Sequence, residues 1–233
     1  MMRLPKYLNR ILVTGGSGFI GGTLVRRLLK ETSLQIFNLD KLGYASNSNV
    51  VNDNFDLKRY QLLNVDLANL EETHKAINLI DPDIVFHLAA ESHVDRSIEG
   101  PRRFLEANIV GTFNLLDVLL THWKSLPPAR QDNFRLIHVS TDEVFGSLGE
   151  KGLFSEESPY NPSSPYSATK AASDHLVKSW FETFGLPSVI TNSTNNFGAW
   201  QLPEKLIPVI IMNAISKKSI PIYGDGQNIR DWI

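Results

Sequence analysis

Two short stretches carry the residue types from which redox and proton-transfer chemistry can be built. The run from Leu136 to Gly146 opens apolar and closes on the hydroxyls of Ser140 and Thr141, followed by two adjacent carboxylates, Asp142 and Glu143. That is the pattern of a buried strand delivering polar groups to the rim of a sheet. Downstream, Tyr166 and Lys170 stand four residues apart, which puts a phenol and an ammonium on one face of a helix. A phenol of pKa about 10 is a poor base at neutral pH. A neighbouring ammonium stabilises the phenolate and lowers that pKa, so the tyrosine can take a proton from a hydroxyl. Hydroxyl, carboxylate pair, phenol and ammonium converging on one pocket can move a hydride and several protons.

The elements needed to position these groups precede them. Ile11-Leu12-Val13 reads as a strand over 10–14 that ends in Gly15-Gly16-Ser17-Gly18-Phe19-Ile20-Gly21, and helical spacing follows from Phe19 to Lys30. Gly15, Gly18 and Gly21 form a variant of the dinucleotide fingerprint, in which glycines allow a tight turn and helix N-terminal amides face a pyrophosphate. A second strand, Gln35 to Leu39, ends at Asp40, about 20 residues on, where an acid holds ribose hydroxyls. Asp40 favours NAD over NADP because a carboxylate repels the extra phosphate; Lys41 softens that preference. Asp66, at the end of a third strand (Tyr60 to Val65), either accepts from the adenine amine or caps the helix expected over Leu70 to Ile80. Ile84 to Ala90 has no polar face, as expected of a strand in a parallel sheet covered by helices. Ala89 and Ala90 at its end allow a cofactor close approach.

Glu91 to Ser97 is polar and reads as a loop at the ligand end of the sheet. His93 within it has two readings, catalytic base or structural and ligand-orienting group. A long helix follows from Pro101 to Trp123, its apolar register interrupted by Asn108, which is read as tying backbone groups together. The segment from Gly146 to Ser163 is loop-like, a helix runs from Tyr166 to Phe184 with Gly185 as its C-cap, and Leu186 to Asn192 is a sixth strand. Beyond it the alternation of strand and helix stops. Pro203 to Ser216 contains a helix, Ile220 to Tyr223 is extended, Gly224-Asp225-Gly226 is a turn, and no closing element follows. The expected organisation is a doubly wound α/β domain over 1–193 and part of a smaller domain over 194–233.

Composition narrows the classes. The 233 residues are 42% hydrophobic and 21% charged with a net charge of −2, which gives no electrostatic argument for nucleic acid or membrane surfaces. With no cysteine, disulfides, thiol catalysis and thiolate metal sites are excluded. No apolar run approaches the roughly 18 residues of a membrane span. The start, Met1 to Lys6, reads as leading into a strand rather than as a signal peptide, so a cytoplasmic location is expected.

The chain resembles the extended short-chain dehydrogenase/reductase (NAD-dependent epimerase/dehydratase) family, and within it the nucleotide-sugar 4,6-dehydratases. The match is carried by Gly15 to Gly21, His87 to Ile98, Ser140 to Gly146, Ser164 to Lys170, Pro203 to Pro208 and Gly224 to Gly226. The Thr141-Asp142-Glu143 step is its most specific part, because epimerases of the family lack the acid pair. The resemblance implies a Rossmann-like fold, NAD as cofactor, no metal, a homodimer through the helices around Pro101–Trp123 and Tyr166–Phe184, and dTDP-glucose as substrate in deoxysugar (dTDP-rhamnose) biosynthesis. By it, Tyr166 with Thr141 and Lys170 deprotonates the sugar 4-hydroxyl while NAD takes the C4 hydride. Glu143 removes the C5 proton and Asp142 protonates the departing C6 hydroxyl. The hydride then returns to C6 while C5 is reprotonated, leaving a 4-keto-6-deoxy sugar. One carboxyl must be ionised and its neighbour protonated, and adjacent carboxyls can split their pKa values in that way.

By the same resemblance, Gly15, Gly18, Phe19, Ile20, Gly21, Asp40, Lys41, Asp66, Leu67, Ala89, Ala90, Tyr166 and Lys170 hold the cofactor. Ser92 lies near the hexose, Asn195, Glu204, Lys205 and Leu206 line the nucleotide-sugar site, and Arg230 lies near the diphosphate. Phe145 and Phe197 stand where the family has tyrosine, and Ala107 replaces a threonine beside the cofactor. The family continues past Arg230-Asp231-Trp232, so the chain is expected to be a fragment or truncated form. The competing readings are a nucleotide-sugar 4-epimerase and a non-catalytic NAD-binding form.

Overall fold

Successive residues of β1 (Arg10–Thr14) enter opposite cores. Ile11 and Val13 pack with Val25, Leu29 and Ile36, whereas Leu12 packs with Leu39, Ile77, Val85 and Leu115. Alternate side chains buried on both sides require a strand inside a sheet covered by helices, as the unbroken apolar run predicts. Fully burying each such side chain contributes about 1.5–3 kcal/mol.

The computed structural model describes residues 8–47, 49–52, 54–149, 152–222 and 224–233. The expectation for Met1 to Lys6 lies outside them. Within the described residues six strands form one sheet: β1, β2 (Gln35–Asp40), β3 (Tyr60–Asn64), β4 (Ile84–His87), β5 (Arg135–Thr141) and β6 (Ser188–Ser193). Their order is β3-β2-β1-β4-β5-β6, and the pairs from β3 through to β5 are parallel. This is the doubly wound arrangement expected, and its order reverses between β1 and β4. Ligands of such sheets bind at the carboxyl ends of the strands at that switch point.

The helices are α1 (Phe19–Glu31), α2 (Leu70–Ile80), α3 (Val94–Glu99), α4 (Pro101–Ser125), α5 (Pro128–Gln131), α6 (Pro165–Phe184) and α7 (Leu206–Ile215). Helix α1 packs on one face of the sheet, while α2, α4 and α6 bury Ile77, Leu115, Leu119 and Val177 on the other. Asn69, not Asp66, caps α2: its side chain accepts from the Glu72 amide, while Asp66 accepts from Ala68 in the turn before. The helix-cap alternative for Asp66 is therefore overturned, because Asn69 sits one residue before the first helical turn and reaches its third amide. Helix α6 starts on a Ser164–Ser167 capping box with Pro165 in its first turn and ends at Gly185 with φ 74°.

The polar stretch expected to be a loop contains α3, held by Ser97, whose amide bonds the His93 carbonyl and whose hydroxyl bonds that of Val94. Strand β4 ends at His87, three residues short of the expected end, since the Ala89 amide turns to the Thr14 hydroxyl instead of a neighbouring strand. Helix α4 has the length and apolar composition of a membrane span. Its buried Asn108, Thr112 and Asn114 are nevertheless hydrogen-bonded to Glu91, His87 and Leu67, as in a helix packed on a sheet. Its middle, Leu105–Val110, is π-helical, and Asn108 lies there. The interruption of the apolar register at Asn108 is thus a widened turn, a feature common at functional sites.

The chain divides into two units, Met1–Asn192 and Ser193–Ile233. In the second, Asn195 pairs with Trp232 in an isolated parallel bridge, the Ile233 amide bonds the Asn195 carbonyl, and the Phe197 and Trp232 rings meet edge to face. This non-local closure is absent from the sequence-based expectation. No strand covers Ile220 to Ile222, and Tyr223 lies outside the described residues.

Candidate active site

The carboxyl end of β5 delivers Thr141, and the chain then tightens into a 3-10 turn over Asp142–Phe145. The Thr141 hydroxyl caps that turn by accepting from the Glu143 amide (3.2 Å) and donates to Asp142 Oδ1 (3.2 Å). Asn192 on β6 holds the Thr141 carbonyl at 3.2 Å. Asp142 and Glu143 are therefore half-buried on a short rigid turn. Phe145 is buried, its ring packed against those of Phe154 and Tyr160.

Helix α6 brings Tyr166 and Lys170 to this strand end, and Thr141 hydrogen-bonds the Tyr166 phenol. Both α6 side chains are buried, Lys170 to 4% exposure. The Lys170 ammonium donates to the Val139 carbonyl (3.0 Å) and lies 3.5 Å from His138 Nε2. Burial lowers its pKa to about 8 while Asp174 acts in the opposite direction, so it is mostly charged at neutral pH.

The expected lowering of the phenol does not occur in this state. Burial and the Glu143 carboxylate push Tyr166 above its ordinary value, outweighing the Thr141 hydrogen bond. Lys170 donates to the Val139 carbonyl and is not among the groups that shift Tyr166, so the phenol keeps its proton at neutral pH.

Six further polar residues complete the floor, and of these Asp174, His138, Tyr160 and His87 were assigned no role by the spacing argument. Asp174 accepts from His138 Nε2 (3.0 Å), Ser140 Oγ (2.7 Å) and Tyr160 OH (3.0 Å). Ser140 thus points under the site rather than into it. Burial alone would raise Asp174, but these hydrogen bonds and the nearby cations hold it below its usual range. Asn108 pins Glu91 at both its amide (2.8 Å) and its carbonyl (3.0 Å) and reaches Thr169 (2.9 Å). It thereby ties the loop after β4 to α6. His87 bridges Thr14 and Thr112, and its ring lies 5.1 Å from that of His138. The signal for Asp174 was its position one helical turn beyond Lys170.

At the other end of the crevice, Gly15 has φ +70°, and an added Cβ would lie 2.7 Å from the Ala89 amide. A Cβ on Gly21 would strike the Gly15 carbonyl. The loop is therefore a cradle that side chains would fill. Gly18 caps α1 with no side chain, leaving the first-turn amides of Phe19 and Ile20 without a side-chain cap. Asp40 accepts from the Ser17 amide (3.0 Å), the Leu42 amide (2.8 Å) and the Ser46 hydroxyl (2.7 Å). A carboxylate has about four acceptor positions, and these contacts among the described residues use three of them. Lys41 pairs with Glu91 at 2.6 Å, spanning the ends of β2 and β4. These features fit a dinucleotide.

The remaining assigned residues are spread more widely. Leu67 is in the core with its carbonyl held by Asn114, so its side chain does not face the crevice. Asp66 is exposed beside it, Ala89 and Ala90 are half-buried at the β4 end, and Ser92 is exposed just beyond. His93 is half-buried at the start of α3. Asn195, Glu204, Lys205, Leu206 and Arg230 belong to the second unit, where Lys205 precedes α7 and Asn195 holds the Asp231 carbonyl. Among the described residues no group of three or more acidic or histidine side chains could hold a metal ion.

The buried imidazoles set a pH dependence. Burial and Lys170 push His138 down to about 4, whereas the unfolded ring has its ordinary value of 6.5. The unfolded chain binds more protons between those values, so stability present above pH 6.5 is lost as pH falls toward 4. His87, also held well below its ordinary value by burial, acts in the same direction. The expected loss of unfolding free energy across this window is on the order of 2–3 kcal/mol. Urea titrations at a series of pH values would show it, with a shallower slope in His138→Gln; an unaltered slope in that variant would contradict the assignment.

Comparison with known proteins identifies the family. The family model described as GDP-mannose 4,6 dehydratase matches residues 12–233. The dTDP-glucose 4,6-dehydratase of Haemophilus influenzae is 52% identical over 227 residues, covering 97% of this chain and 67% of that protein. The enzyme of the same name from Neisseria meningitidis serogroup B is 49% identical over 227 residues, covering 97% and 64%. The crystal structure of dTDP-glucose 4,6-dehydratase from Bacillus anthracis in complex with NAD superposes with a TM-score of 0.84 at 39% identity, covering 97% of this chain and 67% of that one. The chain thus spans about two thirds of the length of the relatives it matches. With the model matched from Leu12 to the last residue, the chain belongs to the GDP-mannose 4,6 dehydratase family.

Proposed function

We propose that this site dehydrates dTDP-glucose to dTDP-4-keto-6-deoxyglucose with NAD as a recycled cofactor, a hydro-lyase step of deoxysugar biosynthesis. The observation that carries the reading is the acid pair Asp142–Glu143, fixed on the turn after β5 and close enough to the Tyr166 phenol for both carboxylates to act on it. Oxidising and re-reducing an alcohol needs only the tyrosine and its helpers. Eliminating water across C5 and C6 needs in addition a base for the C5 proton and an acid for the C6 hydroxyl.

NAD, when bound, would supply the acceptor and donor of the hydride exchanged between C4 and C6, with C5 reprotonated as the hydride returns, and in its oxidised form would bring positive charge to the phenol. Tyr166, hydrogen-bonded through Thr141 and backed by Lys170, takes the 4-hydroxyl proton. Glu143 removes the proton at C5, made acidic by the new ketone, and Asp142 delivers a proton to the departing hydroxyl. The Gly15 to Gly21 cradle, the α1 N-terminus and the Asp40 carboxylate support pyrophosphate and ribose binding. The assignments of Lys41, Asp66, Leu67, Ala89 and Ala90 to the cofactor rest on the resemblance. So do those of Ser92, Asn195, Glu204, Lys205, Leu206 and Arg230 to the nucleotide sugar. A homodimer through α4 and α6 is supported by the exposed Leu105, Val110, Phe113 and Phe181 on those helices.

Incubated with NAD and dTDP-glucose, the protein is expected to yield a product lighter by one water. A product of unchanged mass inverted at C4 would make it an epimerase, and bound NAD without turnover would make it a non-catalytic binder. Glu143→Gln is expected to lower the dehydration rate by about 10²–10⁴-fold and to abolish solvent-deuterium exchange at C5, while hydride transfer from C4 persists. For the dimer, Phe113→Asp should halve the mass seen in sedimentation; an unshifted mass would place the contact elsewhere.

A further inference from the structure

Beneath the Tyr166–Lys170 pair lies a buried cluster that the proposed reaction leaves without a task. Asp174 is 1% exposed and follows Lys170 by one helical turn. His138, Ser140 and Tyr160 all point hydrogen-bond donors at its carboxylate. His138 Nε2 lies 3.0 Å from the Asp174 carboxylate and 3.5 Å from Lys170 Nζ, and the shorter contact, to an anion, assigns the ring proton to Nε2. His138 Nδ1 is buried and has no hydrogen-bond partner among the described residues, as expected of the unprotonated nitrogen of a neutral imidazole. The ring therefore brings no charge of its own.

The groups facing this cluster can be named element by element. From β5 come His138 and, past Thr141, Asp142 and Glu143; from α6 come Lys170 and Tyr166; from the segment before α6 comes Tyr160. From β4, His87 lies against His138 and is tied up by two threonine hydroxyls. Beneath the site this leaves Lys170 as the cation and Asp174 as the anion on one helix face. The groups at Lys170 Nζ, the Val139 carbonyl at 3.0 Å and the neutral His138 ring at 3.5 Å, carry no negative charge, and a buried ammonium without a counter-charge would lose its proton.

We propose that Asp174 is a positioning residue for Lys170: held by His138, Ser140 and Tyr160, it supplies the counter-charge that keeps the ammonium ionised under the catalytic phenol. The opposing influences on Lys170, downward from burial and upward from Asp174, have the signs this role requires. Tyr160 marks the same charge, its phenol being pushed up to about 12 by burial and by Asp174. The catalytic importance of a charged Lys170 rests on the proposed dehydration; the dependence of its charge on Asp174 does not.

The test is the titration of Lys170 by NMR on protein carrying 13C-labelled lysine, the signal assigned by its loss in Lys170→Arg. Asp174→Asn keeps the shape and an acceptor for His138, and the Ser140 and Tyr160 hydroxyls can turn to accept from its amide. The wild-type midpoint is expected near 8, and Asp174→Asn should lower it by about one unit or more. An unchanged midpoint overturns the proposal. Should that variant fail to fold, 15N spectra of the wild-type histidines decide: His138 must be neutral at pH 7 with its proton on Nε2, and an imidazolium or an Nδ1–H ring overturns the proposal. Neither readout uses NAD or dTDP-glucose. Failed turnover alongside a shifted Lys170 would count against the dehydration alone.

Discussion

An ammonium buried to 4% exposure has to be solvated by the protein, and much of the catalytic half of this fold follows from that constraint on Lys170. The Val139 carbonyl is available to it because β5 stops at Thr141 and its last carbonyls lie under α6. The counter-charge comes from the next turn of the same helix, and that carboxylate draws His138 and Ser140 from the strand and Tyr160 from the preceding segment. Strand, helix and loop are thereby locked together at the point where the Tyr166 phenol meets Thr141. The acid pair is then placed by local geometry alone, since Thr141 caps the turn that carries it.

The cofactor half is built on the opposite economy, with side chains removed rather than paired. Gly15 turns with φ +70° against the Ala89 backbone, and Gly21 packs on the Gly15 carbonyl, so the loop approaches the sheet as closely as backbone allows. Asp40 ties the loop to the end of β2 through Ser17 and keeps one acceptor position unused by these contacts. The two halves meet across the β1–β4 switch point. There Thr14 and His87 connect the strand ends, and Asn108 in the widened turn of α4 fastens Glu91 to α6.

How much of this was legible depended on range. Helix α2 was read to the residue because its apolar spacing is regular and bounded by polar turns. The inner strands were the most legible: β1 is an apolar run buried on both sides and the Ile84 run has no polar face, whereas β3 and β6, partly exposed at the two ends of the sheet, were read from position and short β-rich runs. The grouping of Thr141, Asp142 and Glu143 with Tyr166 and Lys170 was visible as unusual types at a helical or strand-end spacing. What escaped was set by burial and distant partners. Asp174 looks like an ordinary surface acid on an amphipathic helix until β5 is placed against it. The phenol was expected to be lowered by Lys170, but desolvation and Glu143 prevail once the ring is buried. The bridge from Asn195 to Trp232 joins residues far apart in the chain, for which no local pattern exists.

The proposed reaction oxidises C4, eliminates water and returns the same hydride to C6 within one site, and dTDP-glucose deuterated at C4 tests it most directly. The expected product is a 4-keto-6-deoxy sugar whose C6 methyl carries the deuterium, transferred within the site without dilution by solvent. Deuterium retained at C4 of an inverted hexose, or washed out into water, would contradict it.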